Sequence, residues 1–567
     1  MAARVKETLE QMLKDAGVTG VIEFSSPPNP SMGDLAFGCF SLAKEKDAKP
    51  GDVAQELASQ IINHKSQIIN DVKAFGPYVN FFLNAGVVAE MVIGEIEERG
   101  SEYGWSNEGA GQKVMIEYPS NNTHKEFHIG HFRNVCIGNP LTALYRSQGY
   151  EARAVNYLND FGAHVPKCLW GLLKFHKDEA PPENKQRWLG EIYAEANNYI
   201  AEHPEAKVEL DEFQKKFEAR EGDIWPLYVE TRSWSIEQFD RLFKELGVEH
   251  EGVFYEKDIR EFGQNKVDEL LKKGIAKVGE GGAIIADLSA SGLDIALLRK
   301  SNGVGLYITA DLALAEEKFK RFDADESVVV TALEQNFYFR QLFKILELMG
   351  FKKKMTHIGY GLVTRPDGKM SSRLGNVILY EDLRDEVYAK FYAETKERHL
   401  EWSEEKLVAT SLKLTLAALK FDIQKHEAAK NIVFDIKEAT SFEGFSAPYV
   451  LYAVARINSI VRKAEAGELA GKIQWDVLAT PEEKRLALMM GDYGEVIRKA
   501  LAQYNPSVIA RYCFDLAQAF NDFYNKHSIL NAQGSSLVRA RLALAEAVAQ
   551  VLKNALGLLT IETVEEM

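Results

Sequence analysis

At 567 residues the chain is too long for one hydrophobic core and implies about three or four domains. With 46% hydrophobic and 27% charged residues its composition is that of a globular protein, and a formal net charge of −15 argues against a uniformly basic nucleic-acid-binding surface while leaving room for a local basic groove. Cys39, Cys136, Cys168 and Cys513 stand apart without a C-x-x-C spacing, so neither a disulfide framework nor a structural zinc site is expected.

Residues 1–13 carry a charged amphipathic helix pattern with no apolar signal core, and no uninterrupted run of 18 apolar residues occurs; a cytoplasmic protein without a membrane span is expected. Residues 1–105 read as helices and short strands, with a turn at Ser25-Ser26-Pro27-Pro28-Asn29-Pro30 and a buried strand at Tyr78-Val79-Asn80-Phe81-Phe82-Leu83. The stretch 102–112, rich in Gly, Ser and Glu, reads as a linker. Val114-Met115-Ile116-Glu117-Tyr118 then suits a central parallel strand, and a helix over about 128–148 and a strand over 153–158 complete the first half of a doubly wound sheet. From about 177 to 298, charged amphipathic helices (187–203, 210–221, 234–246 and 257–273) and a β patch at Gly282-Ala283-Ile284-Ile285-Ala286 read as an insertion. The sheet pattern resumes with Gly305-Leu306-Tyr307-Ile308 and Ser327-Val328-Val329-Val330-Thr331-Ala332, followed by a helix through Met349. From about Val387 onward the spacing is helical, as at Leu412, Leu414, Leu416 and Leu419 and again at Leu542, Leu544, Val548, Val551 and Leu552.

His128-Ile129-Gly130-His131 falls at the helix entry after the first strand, where open α/β sheets bind anionic ligands against helix N-termini. Gly130 keeps a Cβ out of the approach, and the imidazoles of His128 and His131, three apart on one face, can donate hydrogen bonds to phosphate oxygens as charge develops on them. A metal pair is the alternative, with His124 and Glu126 nearby, but a metal-binding helix has no need of the glycine. Far downstream, Gly368-Lys369-Met370-Ser371-Ser372-Arg373-Leu374-Gly375-Asn376 offers a mobile lysine charge and two hydroxyls in a glycine-bounded loop that can close on pyrophosphate. Alone this segment reads as a solvated turn; with the histidine motif it reads as half of one ATP site. No P-loop or G-x-G-x-x-G occurs, which removes support from kinase, P-loop ATPase and dinucleotide-dependent dehydrogenase readings.

H-I-G-H and K-M-S-S-R in this order on a split nucleotide fold resemble the class I aminoacyl-tRNA synthetases. The flanks Ile116-Glu117-Tyr118-Pro119-Ser120-Asn121-Asn122-Thr123, Gly305-Leu306-Tyr307-Ile308-Thr309-Ala310-Asp311-Leu312-Ala313 and Glu334-Gln335-Asn336 are similar to arginyl-tRNA synthetases. The likeness continues in Asn29-Pro30-Ser31-Met32-Gly33-Asp34-Leu35-Ala36 near the start. It is found again in Ala447-Pro448-Tyr449-Val450-Leu451-Tyr452-Ala453-Val454-Ala455-Arg456 and Ala510-Arg511-Tyr512-Cys513-Phe514-Asp515 toward the end.

The resemblance implies a multidomain chain. An α/β N-terminal additional domain that contacts tRNA would span 1–105, and a Rossmann-like parallel-sheet catalytic domain with an α-rich insertion at about 177–298 would span 106–385. An all-α anticodon-binding domain would span 386–567. It implies a ligase that activates L-arginine with ATP, accompanied by Mg²⁺ and without a tightly held protein metal, and transfers arginine to tRNA(Arg); a monomer is expected. Catalysis and ATP binding would fall to His128, Gly130, His131, Lys369, Met370, Ser371 and Ser372. Tyr307 and Asp311 would hold the guanidinium, Gln335 would add a polar contact, Asn122 and Glu117 would anchor the other end of the amino acid, and Glu256 would also face it. Candidate tRNA contacts are Tyr449, Tyr452, Arg456, Arg511 and Tyr512, because unstacked bases lie on aromatic faces with guanidinium support. The family typically needs bound tRNA before it forms the adenylate, and the same is expected here.

Three positions depart from the family pattern: His164 stands where glutamine is common, Tyr338 where histidine is frequent, and the end reads Val564-Glu565-Glu566-Met567 instead of Pro-Glu-Arg-Met. The rival readings are a class I enzyme for lysine or cysteine, a catalytically silent tRNA-binding paralogue, and a small nucleotidyltransferase. The last leaves the long helical C-terminus unexplained, and intact His128, His131 and Lys369 speak against silence.

Overall fold

A computed structural model describes residues 3–25, 27–62, 66–301, 305–366, 378–465 and 471–567. At its centre, five parallel strands, β1 (Lys113–Glu117), β2 (Glu151–Leu158), β3 (Gly252–Tyr255), β4 (Glu326–Ala332) and β5 (Lys354–Tyr360), pair in the order β5-β4-β1-β2-β3. Helices α1 (Ile129–Ser147), α2 (Ile224–Leu246), α3 (Glu256–Lys272), α4 (Tyr307–Phe322) and α5 (Asn336–Leu348) surround this sheet. Period-two alternation sorts the strand side chains onto two faces. Val114, Ile116, Ala152, Ala154, Leu158, Val328 and Val330 pack with Phe132 and Val135 of α1 and Phe239 of α2. Met115, Val155, Tyr157 and Phe254 pack with Ala310, Leu314 and Phe319 of α4. Apolar cover on both faces is what allows the near-continuous apolar runs read in β1 and β4.

Two expectations need correction. Gly305-Leu306-Tyr307-Ile308 is not a strand: Leu306 is an extended cap and α4 begins at Tyr307, because buried Ile308, Leu312, Ala315 and Phe319 recur at helical spacing. The segment 177–298 is not wholly inserted either, since β3 returns to the parallel sheet as its edge. Helices His164–Phe175, Lys185–Glu202, Ala206–Glu218 and α2 supply the α-rich part, and Lys277–Val278, Ile284–Asp287 and Ile295–Arg299 form a three-stranded antiparallel sheet.

The N-terminal part is a four-stranded antiparallel sheet, ordered Phe24–Ser25, Leu35–Gly38, Tyr78–Leu83, Ile69–Phe75, packed in one core with helices Ala3–Asp15, Pro50–Ile61 and Ala85–Arg99. The expected linker is a packed joint: Tyr103 is buried, its hydroxyl donates to the Met490 carbonyl at 3.1 Å, and its ring stacks on Tyr493. Toward the C-terminus the chain is helical from Tyr380–Arg398 through Ser535–Leu558, interrupted by a strand, Ile432–Val433, that pairs in parallel with Val363–Thr364. Among the described residues no helix is long and apolar enough to cross a membrane.

Candidate active site

The histidine motif stands where β1 hands over to α1. His128 is the extended N-cap residue; its Nδ1 accepts the Gly130 N–H at 3.1 Å, while its own backbone N–H donates to Nδ1 of His131 at 3.3 Å. With both Nδ1 atoms acting as acceptors, each neutral ring carries its proton on Nε2. Burial and the nearby Lys125 hold His128 down at about 4; burial, His128 and Lys125 hold His131 well below the usual imidazole value. The stacked rings, 3.8 Å between centroids, are therefore a pair of uncharged donors at a helix N-terminus. Gly130 has a reason beyond ligand approach: a Cβ there would sit 2.9 Å from Cε1 of His128, inside the folded-back ring.

The motif is held to a distant part of the chain. Ile129 N–H donates to the Ile378 carbonyl at 2.9 Å, Tyr380 N–H donates to the Phe127 carbonyl at 3.1 Å, and Phe132 stacks on Tyr380. On the other side Arg133 donates to the carbonyls of Gly361 and Leu362 at 2.7 and 3.1 Å. Lys369, Met370, Ser371 and Ser372 lie outside the described residues, between these two attachments.

Beyond the ends of β1, β2 and β3, carboxylates converge. Glu117, the last residue of β1, shares the face of Met115 that α4 covers, so it meets Lys318 of α4 in a buried ion pair at 2.6 Å. Asp311, two turns earlier on the same face of α4, accepts a hydrogen bond from the Tyr338 hydroxyl. Burial, with Glu117 and Glu256 adding to it, pushes the Asp311 carboxyl up to about 7. Glu256, the buried first residue of α3, accepts the Phe161 N–H at 3.4 Å, and burial raises its pKa too. Among the described residues neither Asp311 nor Glu256 touches a basic side chain, whereas the neighbouring Asp160 pairs with Arg232 at 2.6 Å. Asp311 and Glu256 are thus left without a direct ion-pair partner, the cations that act on them, Lys318 and Arg260, standing further off.

Of the remaining expected residues among the described ones, only Tyr307 is tied to this cluster, through the Glu256 charge. Tyr307 opens α4 with 68% of its surface exposed, Asn122 bridges in parallel to Asn159 just beyond the strands, and Gln335 is exposed in the turn between β4 and α5. Lys318 was not singled out in the sequence, although its place seven residues after Asp311 puts it on the same helical face. The metal alternative finds no support: both ring nitrogens of buried His124 are engaged, by Thr123 at 3.0 Å and Thr231 at 2.9 Å, and no three metal-ligating side chains cluster among the described residues.

In the C-terminal helices the Arg456 guanidinium lies over Tyr452 and Tyr524, 4.6 and 4.9 Å from their centroids, and donates to Asn521 at 2.7 Å; both rings are partly exposed. Tyr449 packs against Phe514, and Arg511 pairs with Asp515 at 3.0 Å. Tyr512 does not belong with them: it is 8% exposed, stacks on Tyr493 and donates its hydroxyl to the Met489 carbonyl, because it sits on the inner side of its helix.

Comparison with known proteins covers the whole chain. Residues 97–436 match the family model for the catalytic domain of class I (R) tRNA synthetases, residues 450–567 the DALR anticodon binding domain, and residues 1–83 the arginyl tRNA synthetase N terminal domain. The chain is 34% identical to an arginine–tRNA ligase of Clostridium perfringens over 100% of its length and 99% of the relative's. It is 35% identical to one of Clostridium beijerinckii over 95% of each. The solved Thermus thermophilus arginyl-tRNA synthetase superposes with a TM-score of 0.83 at 25% identity, covering 100% of both chains.

Proposed function

The chain belongs to the class I arginyl-tRNA synthetases, and from that membership we propose that it activates L-arginine with ATP and transfers the arginyl group to the terminal ribose of tRNA(Arg). In the first step a carboxylate oxygen of arginine bonds to the α-phosphorus of ATP, and the bond to the bridging oxygen breaks as pyrophosphate leaves. In the second the ribose hydroxyl attacks the adenylate carbonyl and AMP leaves. Neither step requires a protein nucleophile; positioning and stabilisation of developing charge carry the catalysis.

Asp311 and Glu256 take the guanidinium, with Tyr307 at the rim and Gln335 adding a polar contact. Asn122 and Glu117 anchor the amino-acid end, Lys318 already holding one oxygen of Glu117. The Nε2–H groups of His128 and His131 donate to the phosphates, Gly130 leaves room for the His128 ring, and Lys369, Met370, Ser371 and Ser372 complete the ATP site. Mg²⁺ arrives with the ATP phosphates as part of the substrate. Tyr452 and Arg456, flanked by Tyr449 and Arg511, offer a platform on which an unstacked tRNA base can lie.

The observation that supports this reading most is that Asp311 and Glu256 approach each other without a paired cation of their own, while the strand-to-helix turn after β1 carries two neutral imidazole donors. The test is ATP consumption with each of the twenty amino acids plus total tRNA, with and without the tRNA. Stimulation by arginine alone, and only when tRNA is present, is expected; stimulation by lysine instead, or silence with all twenty, would refute the proposal.

A further inference from the structure

Tyr338 occupies the third position of α5. Its hydroxyl donates to Oδ2 of Asp311, and burial together with the Asp311 charge keeps that hydroxyl protonated and therefore a donor. One oxygen of Asp311 is thereby engaged. A guanidinium binds a free carboxylate best through two parallel N–H···O bonds, one to each oxygen. With Tyr338 in place Oδ2 keeps one lone pair and Oδ1 keeps two, so Oδ1 is the better acceptor for the guanidinium and Glu256 can take its other N–H groups.

We propose that Tyr338 is a positioning residue of the amino-acid site, whose hydroxyl fixes the Asp311 carboxylate so that Oδ1 is presented to the substrate guanidinium. The inference rests on the reading that Asp311 receives that guanidinium.

The groups that act on Asp311 come from five elements: Glu117 from β1, Tyr157 from β2, Glu256 from α3 with Arg260 acting on it, Lys318 from α4 and Tyr338 from α5. Glu117 and Glu256 oppose its ionisation, while Lys318 and the Tyr338 hydroxyl favour it. Removing the hydroxyl leaves only Lys318 in favour, so the carboxyl takes up its proton at higher pH. A protonated Asp311 offers the guanidinium no charge, and arginine binding weakens.

Tyr338→Phe removes one oxygen atom and nothing else. In aminoacylation assays with the full-length enzyme and tRNA(Arg), the KM for arginine is expected to rise about tenfold over the unmodified enzyme near pH 6.5, the consequence of about one unit in the Asp311 pKa. Near pH 8.5, where Asp311 is mostly ionised with or without the hydroxyl, the difference should shrink to less than about 1.5-fold, with kcat little changed throughout. A KM ratio independent of pH, or no change in KM, would overturn the positioning role. Arginine-induced thermal shifts at the same two pH values give the same comparison without turnover. Asp311→Asn separates the two readings. If that variant keeps the ordinary KM for arginine, the guanidinium site itself is wrong; if it loses arginine while Tyr338→Phe shows no pH-dependent change, only the role of Tyr338 falls.

Discussion

Asp311 titrates near pH 7 because burial and the charges of Glu117 and Glu256 oppose its ionisation. Its folded value lies above the ordinary carboxylate value, so its contribution to stability is fully present at acid pH and is lost as the pH rises through about 7. Asp311→Asn should therefore melt no lower than the unmodified protein at about pH 8 while losing about 100-fold or more in arginine-dependent kcat/KM, the penalty of removing one partner of a buried charge pair. A lower melting temperature with intact activity would reverse that assignment. His128 separates fold from chemistry in a similar way. Asparagine retains a side-chain acceptor at the helix cap, so His128→Asn should cost less than about 1 kcal/mol in chemical denaturation. It removes the Nε2–H, so kcat should fall about 100-fold with the KM for arginine little changed. His128 could be nominated from residue type and spacing, whereas the role expected of Asp311 came from the likeness to arginyl-tRNA synthetases; the folded-back ring that requires Gly130 was not legible, since it depends on a backbone hydrogen bond two residues away.

At the scale of elements, β1 and α4 are joined through the Glu117–Lys318 pair, buried on both sides. Lys318→Met would leave the Glu117 carboxylate buried without its cation, a loss of about 3–5 kcal/mol measurable by urea denaturation, whereas Lys318→Arg should recover most of it. Equal stability of the methionine variant would show that Glu117 finds another partner. The strands β1, β2 and β4 could be read from their apolar runs, which two covered faces demand. β3 could not, because Gly252-Val253-Phe254-Tyr255 is too short to display alternation, and neither could β5, whose half-exposed edge carries Lys354, Thr356 and His357. Lys318, two turns beyond Asp311 on the same face of α4, was not singled out because its partner Glu117 lies 201 residues away in the chain.

Across the whole molecule, Arg133 ties three regions together. Buried on α1, it donates to Gly361 and Leu362 before the Lys369 motif, and to Ala428 at 2.8 Å and Lys430 at 2.6 Å where the strand Ile432–Val433 interrupts the C-terminal helices. Sequence cannot disclose such a joint, because carbonyl acceptors belong to every residue and these lie far apart in the chain. Arg133→Met strands several buried carbonyls and should cost about 3 kcal/mol or more, with faster amide exchange across residues 428–433 as the local signature. Unchanged exchange there would mean that the segment is held by other contacts. Tyr103 and the Asp34–Lys484 pair at 2.5 Å fasten the N-terminal sheet to the same helices.

In the proposed function the amino acid is selected by its charge. The most direct test is charging of tRNA(Arg) with labelled arginine or with citrulline, which matches arginine closely in size but lacks its positive charge. Arginine should be favoured by about 10⁴-fold in kcat/KM, because citrulline would leave Asp311 and Glu256 without a cation. Charging of both at comparable rates would contradict recognition by the buried carboxylates.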